Sequence, residues 1–247
     1  MPNPKFSIIT VTYNAADVLE RTIKSVIAQS YDNYEYILID GQSKDNTMDI
    51  VNQYRNYFAQ IVSEPDHGIY DAMNKATRLA TGDFLCFLNA GDKMHDQNTL
   101  KLAVYSIHGN KLPDIIYGET IIVNKKEEII GMRRLSAPSS LRWTSFKTGM
   151  RVCHQAFWAN KEKVVPYNLT YRFSADFDWC IRVMKRSRVM HNTHLILIDY
   201  LKEGATTRNH KASLNERFRI MSHHYGLFTT ILCHFWFVVR LMFKKVV

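Results

Sequence analysis

The sequence predicts an α/β protein: a Rossmann-like, mostly parallel sheet flanked by helices, continued by a smaller mixed region and an apolar C-terminal helix. Three observations predict it. Four short apolar or β-branched runs, Phe6–Val11, Tyr34–Ile39, Ala59–Ser63 and Phe84–Leu88, alternate with segments of helical periodicity. Such alternation with short connections requires parallel strands joined by right-handed crossovers. The runs also stop at polar residues: Thr12, Tyr13 and Asn14 after the first, Asp40 after the second, Asp66 beyond the third, and Asn89 to Asp92 after the fourth. In open α/β sheets ligands bind outside the carboxyl ends of the strands. Finally, 247 residues with 46% hydrophobic and 22% charged side chains have the length and composition for a sizeable core.

Taken in order, Val18, Leu19, Thr22, Ile23, Val26 and Ile27 recur at helical spacing after the first strand, with Asn14 and Asp17 placed as a capping pair. Ser43 to Asn46 supply caps for a helix over Thr47–Tyr57. After Glu64-Pro65-Asp66-His67-Gly68 the spacing predicts a helix over Tyr70–Ala80, closed by Gly82. The fourth run ends in Asn89-Ala90-Gly91-Asp92, where a glycine permits a sharp turn or the close approach of a ligand. Beyond it a helix is expected over Asn98–Ile107, a strand over Asp114–Tyr117, and a hairpin of Ile121–Val123 with Glu127–Ile130. Arg133, Arg134, Arg142, Lys147 and Arg151 form a basic stretch with Trp143 and Phe146 between them. Ser174 is placed to cap a helix carrying Asp176 and Asp178 as far as Lys185, and His194–Ile198 reads as a late strand.

The chain divides on this reading into a donor-binding half (1–110), an acceptor and catalytic-base half of the same domain (111–212), and a helical tail (213–247). Leu227 to Val239 carries no formal charge and ends in Phe235, Trp236 and Phe237 before Arg240, Lys244 and Lys245. Thirteen residues are too few to span a bilayer, which takes about twenty. The stretch suits a helix lying on a membrane surface, or one packed on the domain.

Thirty-two Lys and Arg against 23 Asp and Glu give a net charge of +9, which favours an anionic partner. The basic residues are dispersed and no nucleic-acid motif accompanies them, so nucleic acid is not the expected partner. Cys86, Cys153, Cys180 and Cys233 lie far apart in apolar company, as reduced thiols in a cytoplasmic protein do. No signal peptide is read at the amino terminus. Val-Thr-Tyr-Asn-Ala-Ala follows the first strand where a dinucleotide-binding dehydrogenase would need glycines. A carboxylate at a strand tip, Asp92, is what a divalent cation needs to hold a diphosphate, since Mn²⁺ and Mg²⁺ take oxygen ligands and few protein carboxylates. Asp40 could accept hydrogen bonds from a base, with Tyr13 bordering it. Asp176 or Asp178, at the start of a helix, could remove a proton from an acceptor hydroxyl.

Those stretches resemble the family 2 glycosyltransferases of GT-A fold. Ser7 to Asn14 is similar to their opening strand, and Ile39 to Thr47 to their D-G-x-S-x-D-x-T segment. Glu64 to Lys75 and Ala80 to Asp83 resemble a bacterial subgroup that makes capsular, lipopolysaccharide-type and other exopolysaccharide glycans. The resemblance implies a donor site of Thr12, Tyr13, Asp40, Asp66, Asn89 and Gly91, Asp92 as ligand of Mn²⁺ or Mg²⁺, and Asp176 as general base, with Asp178 as a substitute. Many relatives carry Asp-Asp where this chain has Gly91-Asp92, and Glu-Asp where it has Ala175-Asp176.

By the same resemblance the activity is inverting, metal-dependent transfer from a nucleotide-diphosphate sugar, UDP ahead of GDP or dTDP, to a hydroxyl of a glycan or lipid-linked acceptor. The expected place is the cytoplasm, peripheral at the inner face of the cytoplasmic membrane. The alternative is a non-catalytic subunit that binds the nucleotide sugar within a glycan assembly complex.

Overall fold

The first half of the chain builds four parallel strands. In the computed structural model, which describes residues 2–109, 111–202 and 210–243, these are β1 (Phe6–Thr12), β2 (Tyr34–Asp40), β3 (Gln60–Ser63) and β4 (Phe84–Phe87). They pair in the order β3-β2-β1-β4, with Thr12 opposite Asp40 and Asp40 opposite Ser63. Every residue of β1 and β4 is buried, so their apolar runs without alternation are those of strands covered on both faces. The crossovers are α1 (Leu19–Ile27), α2 (Thr47–Gln53) and α3 (Ile69–Leu79). Helix α1 shows why its spacing was legible: Leu19, Thr22, Ile23 and Val26 are the residues it buries.

Asn14 is not the cap expected of it. It sits at φ 48°, and α1 starts at Leu19 with Val18 in the cap position and no side-chain cap. Asn14 Oδ1 instead accepts from Lys44 N (2.8 Å), while Asn14 N donates to Ser43 Oγ and Ala16 N to Asp45 Oδ2. Bonding between the two loops has displaced the local cap, and it ties the tips of β1 and β2 together. The Ser174 hydroxyl likewise makes no cap but meets Ser213 Oγ at 2.9 Å.

The sheet continues without a break into the second half. β8 (Phe157–Asn160) lies antiparallel to β4, followed by β6 (Ile115–Val123), β9 (Met190–Leu201) and β5 (Lys93–Met94), with β7 (Ile129–Met132) on β6. Helix α4 (Thr99–Tyr105) follows β5 in the chain. The strand expected at Asp114–Tyr117 and the first hairpin arm are one strand, β6, running through Gly118. A Cβ there would stand 2.6 Å from Leu195 O, so the glycine admits β9 where the register shifts. β5, of two residues, is too short to carry a readable period, and β8 is a further strand that the sequence reading does not include.

Three helices complete the described chain: α5 (Ala175–Arg186), α6 (His210–Tyr225) and α7 (Leu227–Phe243). Helix α6 crosses residue 212 and packs on α5 and α7. The uncharged stretch forms α7, longer than the thirteen residues expected. No described helix is long and apolar enough to cross a membrane. Lys244, Lys245 and the Arg240 side chain lie outside what is described.

Candidate functional site

At the tips of β1 and β2, Tyr13 is 62% exposed and Thr12 is buried. Gly41 lets Tyr13 and Asp66 come together, since a Cβ at 41 would be 3.3 Å from Tyr13 Cδ2 and 2.6 Å from Asp66 Oδ2. Asp66 is half-buried and accepts from Gly68 N through Oδ1 (2.8 Å). Asp40 differs from the open acceptor expected of it: it is 0% exposed. Its carboxylate accepts from Ser43 N (3.0 Å), Ser43 Oγ and Ser63 Oγ (2.6 Å). Burial obliges those oxygens to find protein donors, and Asp40 becomes the brace beneath the surface that Tyr13 and Asp66 present.

The tip of β4 is built with equal closeness. Gly91 lies at φ +99°, and a Cβ on it would be 2.7 Å from Leu201 Cδ2. The positive φ is what favours glycine here, and a Cβ would in addition oblige the end of the Leu201 side chain to shift. Gly91 N donates to Thr22 Oγ1 (2.8 Å), which donates to Asp92 O (2.7 Å). The Asp92 side chain is 3% exposed; Oδ1 accepts from Leu201 N (2.9 Å) and Oδ2 from Gln155 Nε2 (2.8 Å). Burial pushes its carboxyl up to about 7, against the lowering effect of those two donors and of Arg21. Two oxygens at these tips, Thr12 Oγ1 and Asn89 Oδ1, are buried without a hydrogen-bond partner among the described residues. Such groups are costly unless a ligand or water completes them.

Asp176 stands in the first turn of α5, half-buried. Its Oδ1 accepts from Phe177 N (2.9 Å) and Tyr70 Oη (3.1 Å), leaving Oδ2 unclaimed among the described residues. Burial, then the Asp176 charge, raises the Tyr70 hydroxyl well above its ordinary range, so it remains a donor. Beneath it Tyr70 stacks on Tyr167 and Tyr167 on Trp179, with ring centres 5.6 and 5.0 Å apart. His154 is hydrogen-bonded to Tyr167 Oη at 2.7 Å, and burial drives its imidazole down to about 4, so it is neutral. Asp178 is spent elsewhere. It is buried, accepts from Arg182 Nε (2.7 Å) and lies 2.8 Å from His224 Nε2. Burial alone would raise its carboxyl, but His224 and Arg182 hold it below the usual range.

Burial, then the charges of Asp92, Cys153 and Asp176, raise the Tyr200 hydroxyl above its ordinary range. Four participants escaped the sequence reading. Gln155 was not singled out there, and Tyr70 appeared only as the start of a helix. Glu216 accepts from Arg172 N and Phe173 N, both at 2.8 Å, and so holds the segment entering α5. Arg217 lies 5.9 Å over the Phe177 ring with its Nε buried and without a partner among the described residues, and its charge reaches Tyr70. Nothing local marks these residues, because α6 joins the site only through packing.

A hard divalent cation needs oxygen ligands. Asn89 Oδ1 is a free oxygen donor among the described residues, and each Asp92 oxygen, holding one hydrogen bond, keeps a lone pair a cation could use. Among the described residues no group of three or more His, Cys, Asp or Glu is gathered for a metal. A cation here would keep most of its shell on diphosphate and water.

Residues 7–167 match the family profile described as glycosyl transferase family 2. A PGL/p-HBAD biosynthesis glycosyltransferase of Mycobacterium bovis is 33% identical over 83% of this chain and 79% of its own length. A putative teichuronic acid biosynthesis glycosyltransferase of Bacillus subtilis, TuaG, is 40% identical over 36% of this chain and 37% of its own. The fold is that of S. aureus TarS, with a TM-score of 0.72 at 16% identity over 94% of this chain and 72% of the other. With the profile covering all four parallel strands and the tips just described, the chain belongs to glycosyl transferase family 2.

Proposed function

We propose that the protein transfers a sugar, with inversion, from a nucleoside-diphosphate sugar to a hydroxyl of a glycan acceptor, with Asp176 as the base. One observation carries the reading: a half-buried carboxylate with one oxygen pinned by Phe177 N and Tyr70 Oη and the other unclaimed, beside the strand tips. The acceptor hydroxyl gives its proton to Asp176 as its oxygen attacks the anomeric carbon. The bond from that carbon to the diphosphate breaks on the opposite face, and the nucleoside diphosphate departs.

The donor lies over Thr12, Tyr13, Asp66, Asn89 and Gly91, with Tyr13 bordering the base and Asp40 bracing the loop from below. Arg217 offers its unpartnered Nε–H to an anionic oxygen of the substrate. Asn89 and Asp92 would hold Mn²⁺ or Mg²⁺, which when bound offsets charge on a departing diphosphate. Solved relatives of this fold support the donor class: TarS has been captured with UDP-GlcNAc, and a Pyrobaculum calidifontis mannosyltransferase with GDP-Man and Mn²⁺. UDP is placed ahead of GDP and dTDP. Relatives named for teichuronic acid and for PGL/p-HBAD biosynthesis favour a surface glycan product and a lipid-linked acceptor at the cytoplasmic membrane.

The test is turnover of a UDP-, GDP- and dTDP-sugar panel by the wild type and Asp176→Asn, with donor binding read in parallel by calorimetry. Removing the base should lower kcat about 10²–10⁴-fold while donor still binds. Equal turnover by the variant would remove Asp176 from the mechanism. Donor binding without transfer by the wild type, across a range of glycan acceptors, would instead favour a non-catalytic binding subunit.

A further inference from the structure

Helix α7 is two-faced. Thr230, Cys233, His234 and Phe237 turn inward, while Leu227, Phe228, Ile231, Leu232, Phe235 and Trp236 are each 50–75% exposed. The exposed set recurs at i, i+1, i+4, i+5, i+8 and i+9, one continuous stripe of a helix. A contiguous apolar surface with three aromatic rings is unusual on a protein that stays in water. No acidic residue occurs from Leu227 to Phe243.

Beside the start of this stripe lies an open depression of about 650 Å³ lined by Arg142, Trp143, Lys185 and Arg188, among others, and by no carboxylate. Trp143 joins the two features. It stacks on Tyr225 with centres 5.4 Å apart, its carbonyl accepts from Tyr225 Oη (2.7 Å), and Tyr225 is two residues before α7. Lys185 Nζ lies 4.6 Å from the centre of the Trp143 ring and 3.0 Å from His224 Nδ1.

We infer that the α7 stripe and the Arg142–Lys185–Arg188 depression form one docking face for an anionic phospholipid surface. The stripe enters the acyl boundary in the plane of the membrane, and the depression receives lipid phosphate. Charge decides for lipid over a protein partner: three cations with no acid among the described lining residues, Asp114 behind Arg188 being taken up by Arg188 N, Val189 N and Lys163, next to aromatic side chains suited to the interfacial zone, on a chain of net charge +9. This extends the membrane reading above without depending on the chemistry of Asp176, because vesicle binding reads it without catalysis.

The experiment is cosedimentation of the full chain with vesicles of phosphatidylcholine alone or mixed with phosphatidylglycerol, at low and high salt. The variants are Phe235→Ser/Trp236→Ser and Arg142→Gln/Arg188→Gln, all exposed positions, with circular dichroism as a check on folding. Binding should require phosphatidylglycerol, and each folded double variant should lose about tenfold or more in affinity. The loss from Arg142→Gln/Arg188→Gln should shrink at high salt.

Folded wild type that ignores the anionic vesicles would overturn the inference. So would variants that bind as the wild type does, or a wild-type dimer that Phe235→Ser/Trp236→Ser turns into a monomer with unchanged vesicle binding. Inorganic phosphate that fills the depression without weakening vesicle binding would assign it to a soluble ligand and overturn the phosphate half.

Discussion

Replacing Gly91 by alanine adds one methyl group at the most tightly determined point of the site. The backbone there is at φ +99°, where a residue with a Cβ is strained by about 1–2 kcal/mol. The new Cβ would stand 2.7 Å from Leu201 Cδ2 and 3.5 Å from Val18, well inside contact distance for the first. Relieving such an overlap in a close-packed interior costs about 1–3 kcal/mol. Together the two effects predict a loss of about 2–5 kcal/mol, or a fall in Tm of roughly 5–15 °C for a chain of this size.

Thermal and urea unfolding of Gly91→Ala, Leu201→Ala and the double variant separates the effects. Leu201→Ala removes the clashing atom but not the backbone strain. The double variant should therefore be less destabilised than the sum of the singles, by about 1–2 kcal/mol. An alanine variant that melts with the wild type, or strict additivity in the cycle, would refute the packing argument. The same reasoning applies to Gly91→Asp: adding an acid there carries the backbone cost as well as the displacement of Leu201, so it should weaken the fold before it adds a ligand.

The remaining predictions concern charge. Glu35 opposes burial with donors from Ser7 Oγ, Thr81 N and Oγ1, and Lys5 Nζ at 2.6–3.0 Å, which hold its carboxyl at about 2. Its folded value is below its unfolded one, so its stabilisation is complete above pH 5 and lost as pH falls from about 4.5 to about 2. In Glu35→Gln the unfolding free energy should drop by about 3 kcal/mol at pH 7 and lose that part of its acid dependence; an unchanged pH profile counts against the network. Asp178→Asn leaves Arg182 and His224 without their buried partner and should cost about 3–5 kcal/mol in denaturant unfolding. The surviving folded fraction should retain transfer activity, and a loss matching that of Asp176→Asn would return Asp178 to the chemistry.

Much of this molecule was legible in local pattern. The four parallel strands and their helices appear where apolar runs and 3.6-residue spacing place them, because each element buries its own face of one core. That Asp176 and Asp178 stand in the first turn of a helix was legible locally too, and the family followed from motifs at strand tips. The roles of those residues were not local. Asp40 and Asp92 look alike in sequence to ligand-binding carboxylates, yet Ser43 and Ser63 close over one, and Gln155 and Leu201 N over the other. Asp176 and Asp178 are two residues apart on one helix, and the packing of α6 gives them different surroundings, bringing His224 to Asp178 while Oδ2 of Asp176 stays unclaimed among the described residues. Periodicity reports which side of an element is buried. Which donor reaches a carboxylate depends on segments tens of residues away, and that is set only when the sheet and its last helices are assembled.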